Sequence, residues 1–231
     1  MSQLGADQLV AGTFLSRLKP DERANVEALG RNTSFPRGSV MMFEGEPEER
    51  VMLLLGGRVK VTRNGPEGRE VILGIRDPGD LLGELAYIDR QPRSATVVAL
   101  ETVKALVLPG PRFREHLEKT PRVAVVLLEV VAWRFREATD NRLQFAALDT
   151  MGRLSARIIE LAERYGENVN GSIEIPLPLS QEELASWTGA SRTGVAQALQ
   201  SLRELDWLET SRGRITVKDQ AALRARASAA P

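Results

Sequence analysis

Between Thr33 and Leu108 the chain is a succession of short runs rich in Val, Leu and Ile, each closed by a turn-forming cluster: Pro36-Arg37-Gly38, Glu46-Pro47, Gly56-Gly57, Asn64-Gly65-Pro66 and Pro78-Gly79-Asp80. Short apolar runs at such regular spacing predict antiparallel strands in a sandwich or barrel. The period then changes. Pro109-Gly110-Pro111 ends the strands, residues 112–119 read as a short helix, and a long helix follows from Val123 to Leu148. Along it Leu128, Val131, Phe135, Ala138, Arg142 and Phe145 recur at alternating steps of three and four, the seam of a two-stranded coiled coil. Leu127, Val130 and Trp133 are apolar beside that seam, so the helix can serve both the strand domain and a partner. A helix packed only on its own domain is the alternative that periodicity leaves open.

The bulk composition narrows the functions. With 231 residues, 42% of them hydrophobic, the chain suits two domains with real cores. It has no cysteine, which excludes disulfides, iron-sulfur clusters and thiolate metal sites. Its 31 basic and 31 acidic residues balance, so any affinity for nucleic acid must come from local placement of arginines. His116 is the one histidine, and a metal-dependent enzyme needs several clustered ligands. Walker loop, dinucleotide fingerprint and serine elbow are all missing, and no enzyme is expected. No apolar run approaches the roughly 20 residues of a membrane span, and no secretory leader opens the sequence, so a cytoplasmic protein is expected. Phe14, Leu15, Leu18, Val26 and Leu29 around Pro20-Asp21-Glu22 suit two short helices capping the strand domain.

After the long helix, Asp149-Thr150-Met151-Gly152-Arg153 is a hinge candidate, with Asp149 placed to cap a helix from about Met151 to Tyr165. Gly166 to Gly171 reads as a turn or hairpin tip. Ser180-Gln181-Glu182-Glu183 forms a capping box at a helix start. That helix runs to Thr188, Gly189-Ala190-Ser191 makes a tight turn, and Ser191 caps a second helix from Arg192 to about Leu205. This is a helix-turn-helix. Leu184, Ala185, Val195, Leu199 and Leu202 form its packed face, leaving Arg192, Thr193, Ala196, Gln197 and Gln200 outward, where such a helix enters the major groove of double-stranded DNA. Strands Trp207 to Thr210 and Ile215 to Lys218 flank Ser211-Arg212-Gly213-Arg214 as a basic wing, whose Arg212 and Arg214 suit phosphate contacts. Residues 221–231 are expected as a frayed helix or disordered tail. Trp133, Trp187 and Trp207 are assigned to cores.

One run carries ligand chemistry. In Gly83-Glu84-Leu85-Ala86 the glycine lets backbone approach a ligand, and the Glu84 carboxylate can accept from a ribose 2′-hydroxyl. In Pro92-Arg93-Ser94-Ala95-Thr96-Val97, Arg93 offers a two-pronged donor to phosphate oxygens, and Ser94 and the neighbouring amides add neutral donors. The pair can hold a cyclic phosphodiester on its sugar edge.

These two runs resemble the phosphate-binding cassette of the cyclic-AMP receptor protein and FNR superfamily of bacterial transcription regulators. The resemblance spans about residues 12 to 218 and includes Phe43-Glu44-Gly45-Glu46 and Gly56-Gly57-Arg58-Val59-Lys60-Val61, glycine-marked turns of the family's sensor. It implies an α+β fold with an N-terminal cyclic-nucleotide-binding β-barrel (double-stranded β-helix, or jelly roll) over residues 12–120. A dimerisation helix at 121–148, a C-terminal winged helix-turn-helix at 149–220 and a tail at 221–231 complete the expected layout. It implies a homodimer regulated by cyclic AMP, with cyclic GMP as the alternative, and DNA and RNA polymerase as partners. The nucleotide residues carried over are Gly83, Glu84, Leu85, Ala86, Arg93, Ser94, Ala95 and Thr139; the DNA residues are Ser180, Gln181, Ser191, Arg192, Thr193, Ala196, Gln197, Arg212 and Arg214. Alignment places Ala138 and Thr139 where the family uses a Thr-Ser pair against the base, and Ala138 offers no hydrogen bond. Thr193 and Gln197 replace a Glu and a second Arg of the family's recognition helix, so a different operator is expected. A regulator of this fold that is ligand-independent or uses another effector, and a nucleotide-binding regulatory subunit that docks protein, stand as alternatives.

Overall fold

The structure is a computed structural model and describes residues 9–47, 50–65, 68–176, 179–211 and 213–228. Its contacts divide the chain into two compact units, residues 1–65 with 72–137, and residues 66–71 with 138–231.

Among the described residues the first unit begins with a 3-10 turn, Leu15–Arg17, and helix α1 (Pro20–Glu27), which starts on a proline at its first position. Eight strands follow: β1 (Arg31–Phe35), β2 (Val40–Met42), β3 (Arg50–Gly56), β4 (Val59–Asn64), β5 (Glu70–Arg76), β6 (Leu81–Leu82), β7 (Thr96–Ala99) and β8 (Val103–Pro109), with helix α2 (Glu84–Asp89) between β6 and β7. They form two four-stranded sheets, ordered β1-β8-β3-β6 and β2-β7-β4-β5. The result is jelly-roll-like, two sheets enclosing a core rather than one closed barrel.

Alternation along β3 shows why. Met52 and Leu54 join Met41, Met42, Val59, Leu82, Val97 and Ala105 in the core between the sheets. Val51 and Leu53 point the other way, into a second core with Phe14, Leu15, Phe113, Val123, Leu127 and Val130. A strand buried on both faces needs an unbroken apolar run, and Val51-Met52-Leu53-Leu54 supplies it. The helices over the second face are α3 (Gly110–Lys119) and the first half of α4 (Pro121–Ala147). Leu127 and Val130 are buried there, whereas Val125, Leu128, Phe135 and Leu143 are more than half exposed. Trp133, expected in a core, is 43% exposed because it lies on the flank of the buried stripe.

In the second unit, α5 (Thr150–Tyr165) runs through the centre with Leu154, Ile158 and Leu161 buried. Asp149 caps it, accepting from the Gly152 amide at 2.8 Å. Strands β9 (Glu167–Val169), β10 (Ser172–Ile175), β11 (Leu208–Ser211) and β12 (Arg214–Val217) make a sheet ordered β11-β12-β10-β9. The segment after Gly166 is therefore a paired strand, with Asn170 and Gly171 as its tip. Helices α6 (Gln181–Thr188) and α7 (Arg192–Glu204) precede the β11–β12 wing.

Residues 220–228 depart from the expected frayed or disordered tail. They form helix α8 (Gln220–Ser228), which packs on α5 with Leu223 fully buried. Arg224 pairs with Glu163 at 2.8 Å and Arg226 with Asp149 at 2.5 Å. One buried leucine and two ion pairs to α5 hold a segment whose alanine-rich composition suggested fraying. Residues 229–231 lie outside the described residues.

Candidate functional site

The cassette is built where β6 turns into α2. Gly83 sits at φ +78°, the left-handed region, and a Cβ there would lie 2.2 Å from Nη1 of Arg93. Glycine is needed twice over, for the backbone angle and for the guanidinium beside it. Arg93 is buried, and its Nη1 donates to the Gly83 carbonyl at 2.7 Å while Nη2 donates to the Arg50 carbonyl at 2.5 Å. Its backbone is fixed as well: the Arg93 amide donates to the Glu46 carbonyl and its own carbonyl accepts from the Gly45 amide. That bracing gives the Phe43-Glu44-Gly45-Glu46 turn a structural role, holding the Arg93 backbone in place. Of the neighbours, Ser94 is exposed, Ala95 half-buried, Ala86 buried and Leu85 42% exposed. The Arg114 side chain donates to the Tyr87 carbonyl at 2.9 Å and stacks over its ring, which pins α2 to α3.

Glu84, only 3% exposed, is not alone. Arg134 on α4 donates to its carboxylate at 2.6 Å and reaches Asp80 and the Leu81 carbonyl at 3.0 Å. Burial works against the charge on Arg134, but Glu84 and Asp80 together outweigh it and raise its pKa above the ordinary arginine value. Arg76, 3.8 Å from Glu137, has its pKa lowered, first by burial and then by Arg134. A buried cluster of two cations and three acids thus fixes Glu84 from behind. Sequence reasoning missed this cluster. Its signal was present in the helical steps Leu127, Val130, Arg134, Glu137, where an apolar stripe facing the sheet continues as charge. Thr139, the expected base contact, is an exposed residue of α4.

In the second unit the helix-turn-helix has the expected caps. The Ser180 hydroxyl accepts from the Glu183 amide at 3.1 Å, and the Glu183 carboxylate accepts from the Ser180 amide at 2.8 Å. Gly189 ends α6 at φ +59°, where a Cβ would lie 2.2 Å from the Phe145 ring. Ser191 accepts from the Gly194 amide at 3.0 Å. Ser180 and Ser191 thus spend their hydroxyls on helix starts. Val195, Leu199 and Leu202 are buried, Arg192, Thr193 and Gln197 are exposed, and Ala196 is half-buried. Gln181 is exposed in the first turn of α6. Among the described residues Arg192 makes no side-chain hydrogen bond or ion pair. Arg214 is paired with Glu174 at 2.6 Å, so a phosphate would have to displace that carboxylate. Arg212 lies outside the described residues. Trp187 is buried beneath Arg157, whose guanidinium stacks over it at 5.5 Å, and Trp207 is half-buried.

Comparison with known proteins gives this arrangement a family. Residues 32–120 match the cyclic nucleotide-binding domain, and residues 152–226 match the Crp-like helix-turn-helix domain. A CRP-like cAMP-activated global transcriptional regulator of Mycobacterium tuberculosis is 33% identical over 94% of this chain and 96% of its own length. The chain belongs to the CRP/FNR family of transcription regulators. The cyclic AMP receptor protein of Thermus thermophilus is 28% identical over 89% of this CRP/FNR regulator and 92% of its own length. The c-di-GMP responsive global regulator CLP of Xanthomonas campestris shares the fold, with a TM-score of 0.78 at 17% identity, covering 86% of this chain and 99% of that one.

Proposed function

We propose that this regulator is a homodimer that binds a cyclic nucleotide, cyclic AMP first, in its sensor unit and thereby sets the DNA affinity of its two helix-turn-helix heads. The observation that carries the reading is the meeting of a buried base and a buried acid at one glycine: Arg93 bonded to the Gly83 carbonyl at 2.7 Å, with Glu84 the next residue. In this reading Glu84 accepts from the ribose 2′-hydroxyl, and Arg93 with Ser94 takes the phosphate. The backbone of Gly83, Leu85, Ala86 and Ala95 shapes the wall, and Thr139 donates to the base. With alanine at position 138 one base contact is lost, so discrimination between cyclic AMP and cyclic GMP is weaker than recognition of ribose and phosphate.

For the output, Arg192 reads guanine through N7 and O6, and Gln197 sets preference at one or two neighbouring base pairs. Thr193 and Ala196 line the same face, the amides at Gln181, beside the capped Ser180, and at Ser191 position the backbone, and Arg212 and Arg214 meet phosphates. The exposed Leu128 and Phe135 begin the dimer seam on α4, which continues through Ala138, Arg142 and Phe145. RNA polymerase is the further partner, and the cytoplasm the compartment.

Calorimetry with cyclic AMP and cyclic GMP on the wild type and on Arg93→Ala tests the ligand assignment. Loss of a charge-assisted contact worth about 1.5–3 kcal/mol predicts a roughly 10- to 100-fold weaker Kd. Equal binding by the variant rejects the phosphate role. Titrating cyclic AMP against DNA affinity at fixed salt tests the coupling, since a ligand shifts the equilibrium only by binding the DNA-competent state more tightly. Unchanged DNA affinity at saturating nucleotide would reject the coupling and leave an always-active or differently triggered regulator.

A further inference from the structure

The sensor unit holds a second concave site that the nucleotide reading leaves unused. A cleft of about 880 Å³ opens at the α1–β1 connection, with Phe35, Met52 and Val107 among its apolar lining and Arg31, Arg50 and Arg112 among its polar lining. None of these side chains belongs to the cassette. Gly30 shapes the cleft: a Cβ there would lie 2.7 Å from both Leu106 and the Val107 carbonyl, so the connection lies against β8 and carries Arg31 to the rim.

The charges in this cleft are unbalanced. Among the described residues the guanidinium groups of Arg31, Arg50 and Arg112 make no hydrogen bond or ion pair. Glu115, a turn beyond Arg112, feels that arginine's charge but is bonded to Lys119 at 2.6 Å. Three exposed like charges around an open, partly apolar cleft make its local potential positive. Arg112 also stands in the first turn of α3, which has no acidic residue there and no side-chain cap from Pro109. A helix N-terminus carries positive partial charge and favours an anion, so an arginine in place of Asp or Glu deepens the imbalance.

We propose that this cleft binds an amphipathic organic anion, an alkyl or aryl body on the Phe35, Met52 and Val107 floor with its carboxylate or phosphate between Arg31, Arg50 and Arg112. The volume lies within the range of about 300–1,000 Å³ usual for small-molecule sites. The head group would meet three donors of fixed geometry, and the body would replace water on apolar side chains. The site is separate from the cyclic nucleotide, yet the two share β3, because the Arg50 carbonyl is an acceptor for Arg93.

Methionine methyl resonances of the full-length protein distinguish the two sites. Met52 lines the cleft, whereas the terminal methyl of Met42 lies beside Gly83, about 3.1 Å from where a Cβ on that glycine would stand. Titration with decanoate and with phenyl phosphate is expected to move Met52 saturably, with and without saturating cyclic AMP. Arg31→Ala and Arg112→Ala, both exposed and outside the cassette, are each expected to weaken probe binding at least tenfold while leaving cyclic-AMP affinity unchanged. No saturable shift with either probe, undiminished binding by both variants, or displacement by cyclic AMP overturns the proposal. Inorganic phosphate binding as tightly as either probe also overturns it, because that marks a bare-charge surface suited to an acidic macromolecule.

Discussion

Replacing Arg134 with methionine tests whether the buried charges behind Glu84 act as one unit. The Arg134 side chain is 13% exposed, Glu84 4% and Asp80 9%, so the substitution removes the one cation bonded to both acids and leaves Glu84, Asp80 and Glu137 sharing Arg76 in a poorly solvated place. Removing one partner of a buried pair costs about 3–5 kcal/mol, most of it the penalty on the charge left behind. For a unit of this size each kcal/mol moves the midpoint by about 3–4 °C, so the sensor transition should fall by roughly 9–20 °C. Scanning calorimetry is the assay, because it separates the sensor transition from that of the reading head. Arg134→Met combined with Glu84→Gln should recover part of the loss at pH 7. A loss below about 1 kcal/mol, or no recovery in the double variant, would refute the account, since it would mean the pair is solvated like a surface bridge.

Other substitutions probe the remaining joints. Gly83→Ala must place a Cβ 2.2 Å from the Arg93 guanidinium at φ +78°, so calorimetry should find cyclic-AMP binding abolished and stability lowered by at least about 1–2 kcal/mol. Phe135 is 73% exposed and Leu128 67%; changing both to glutamate should give a monomer in sedimentation velocity, and a persistent dimer would remove the seam from α4. Leu223→Ala should cost about 2–5 kcal/mol and lower the reading-head transition, whereas a frayed α8 would show no effect. Asp149 has its pKa lowered, first by the Gly152 amide and then by Arg226, so its contribution is present above about pH 4 and is lost as pH falls through the lowered folded value. Acid unfolding of Asp149→Asn should accordingly depend less on pH below 4 than that of wild type.

What sequence alone made legible was local. Capping residues at Asp149, Ser180 and Ser191 bond within three residues of themselves, and glycines at 83 and 189 declare a backbone angle, so each can be read from its neighbours. The two-faced burial of β3 was equally visible as an unbroken apolar run. Partnerships across the chain were not. Arg134 meets Glu84 across 50 residues, and Arg226 meets Asp149 across 77, separations that no pattern of spacing encodes. Alanine-rich residues 221–228 suggested fraying because composition records propensity, while one leucine in a hollow of α5 decides packing. The cleft between Arg31 and Arg112 was hidden for the same reason, since it exists only once β1, β3 and α3 converge.

The state of Arg93 shows how such a site can both hold and report a ligand. Its guanidinium is occupied, with donors spent on the carbonyls of Gly83 and Arg50, so an arriving phosphate enters a competition rather than an empty slot. The exchange favours the anion. A bond from guanidinium to phosphate is roughly twice as strong as one to a neutral carbonyl, and Arg93, buried and braced through its backbone, loses little freedom in making it. The carbonyls it leaves behind belong to the turn into α2 and to the first residue of β3. Both must find new donors or shift, and α2 and β3 are packed against the same core as α4. In the proposed function, a phosphate on Arg93 would alter the acceptors that anchor the cassette, while ribose on Glu84 would act on the carboxylate that holds Arg134. The two halves of one small ligand would then bear on α4 by separate routes, one through packing and one through charge.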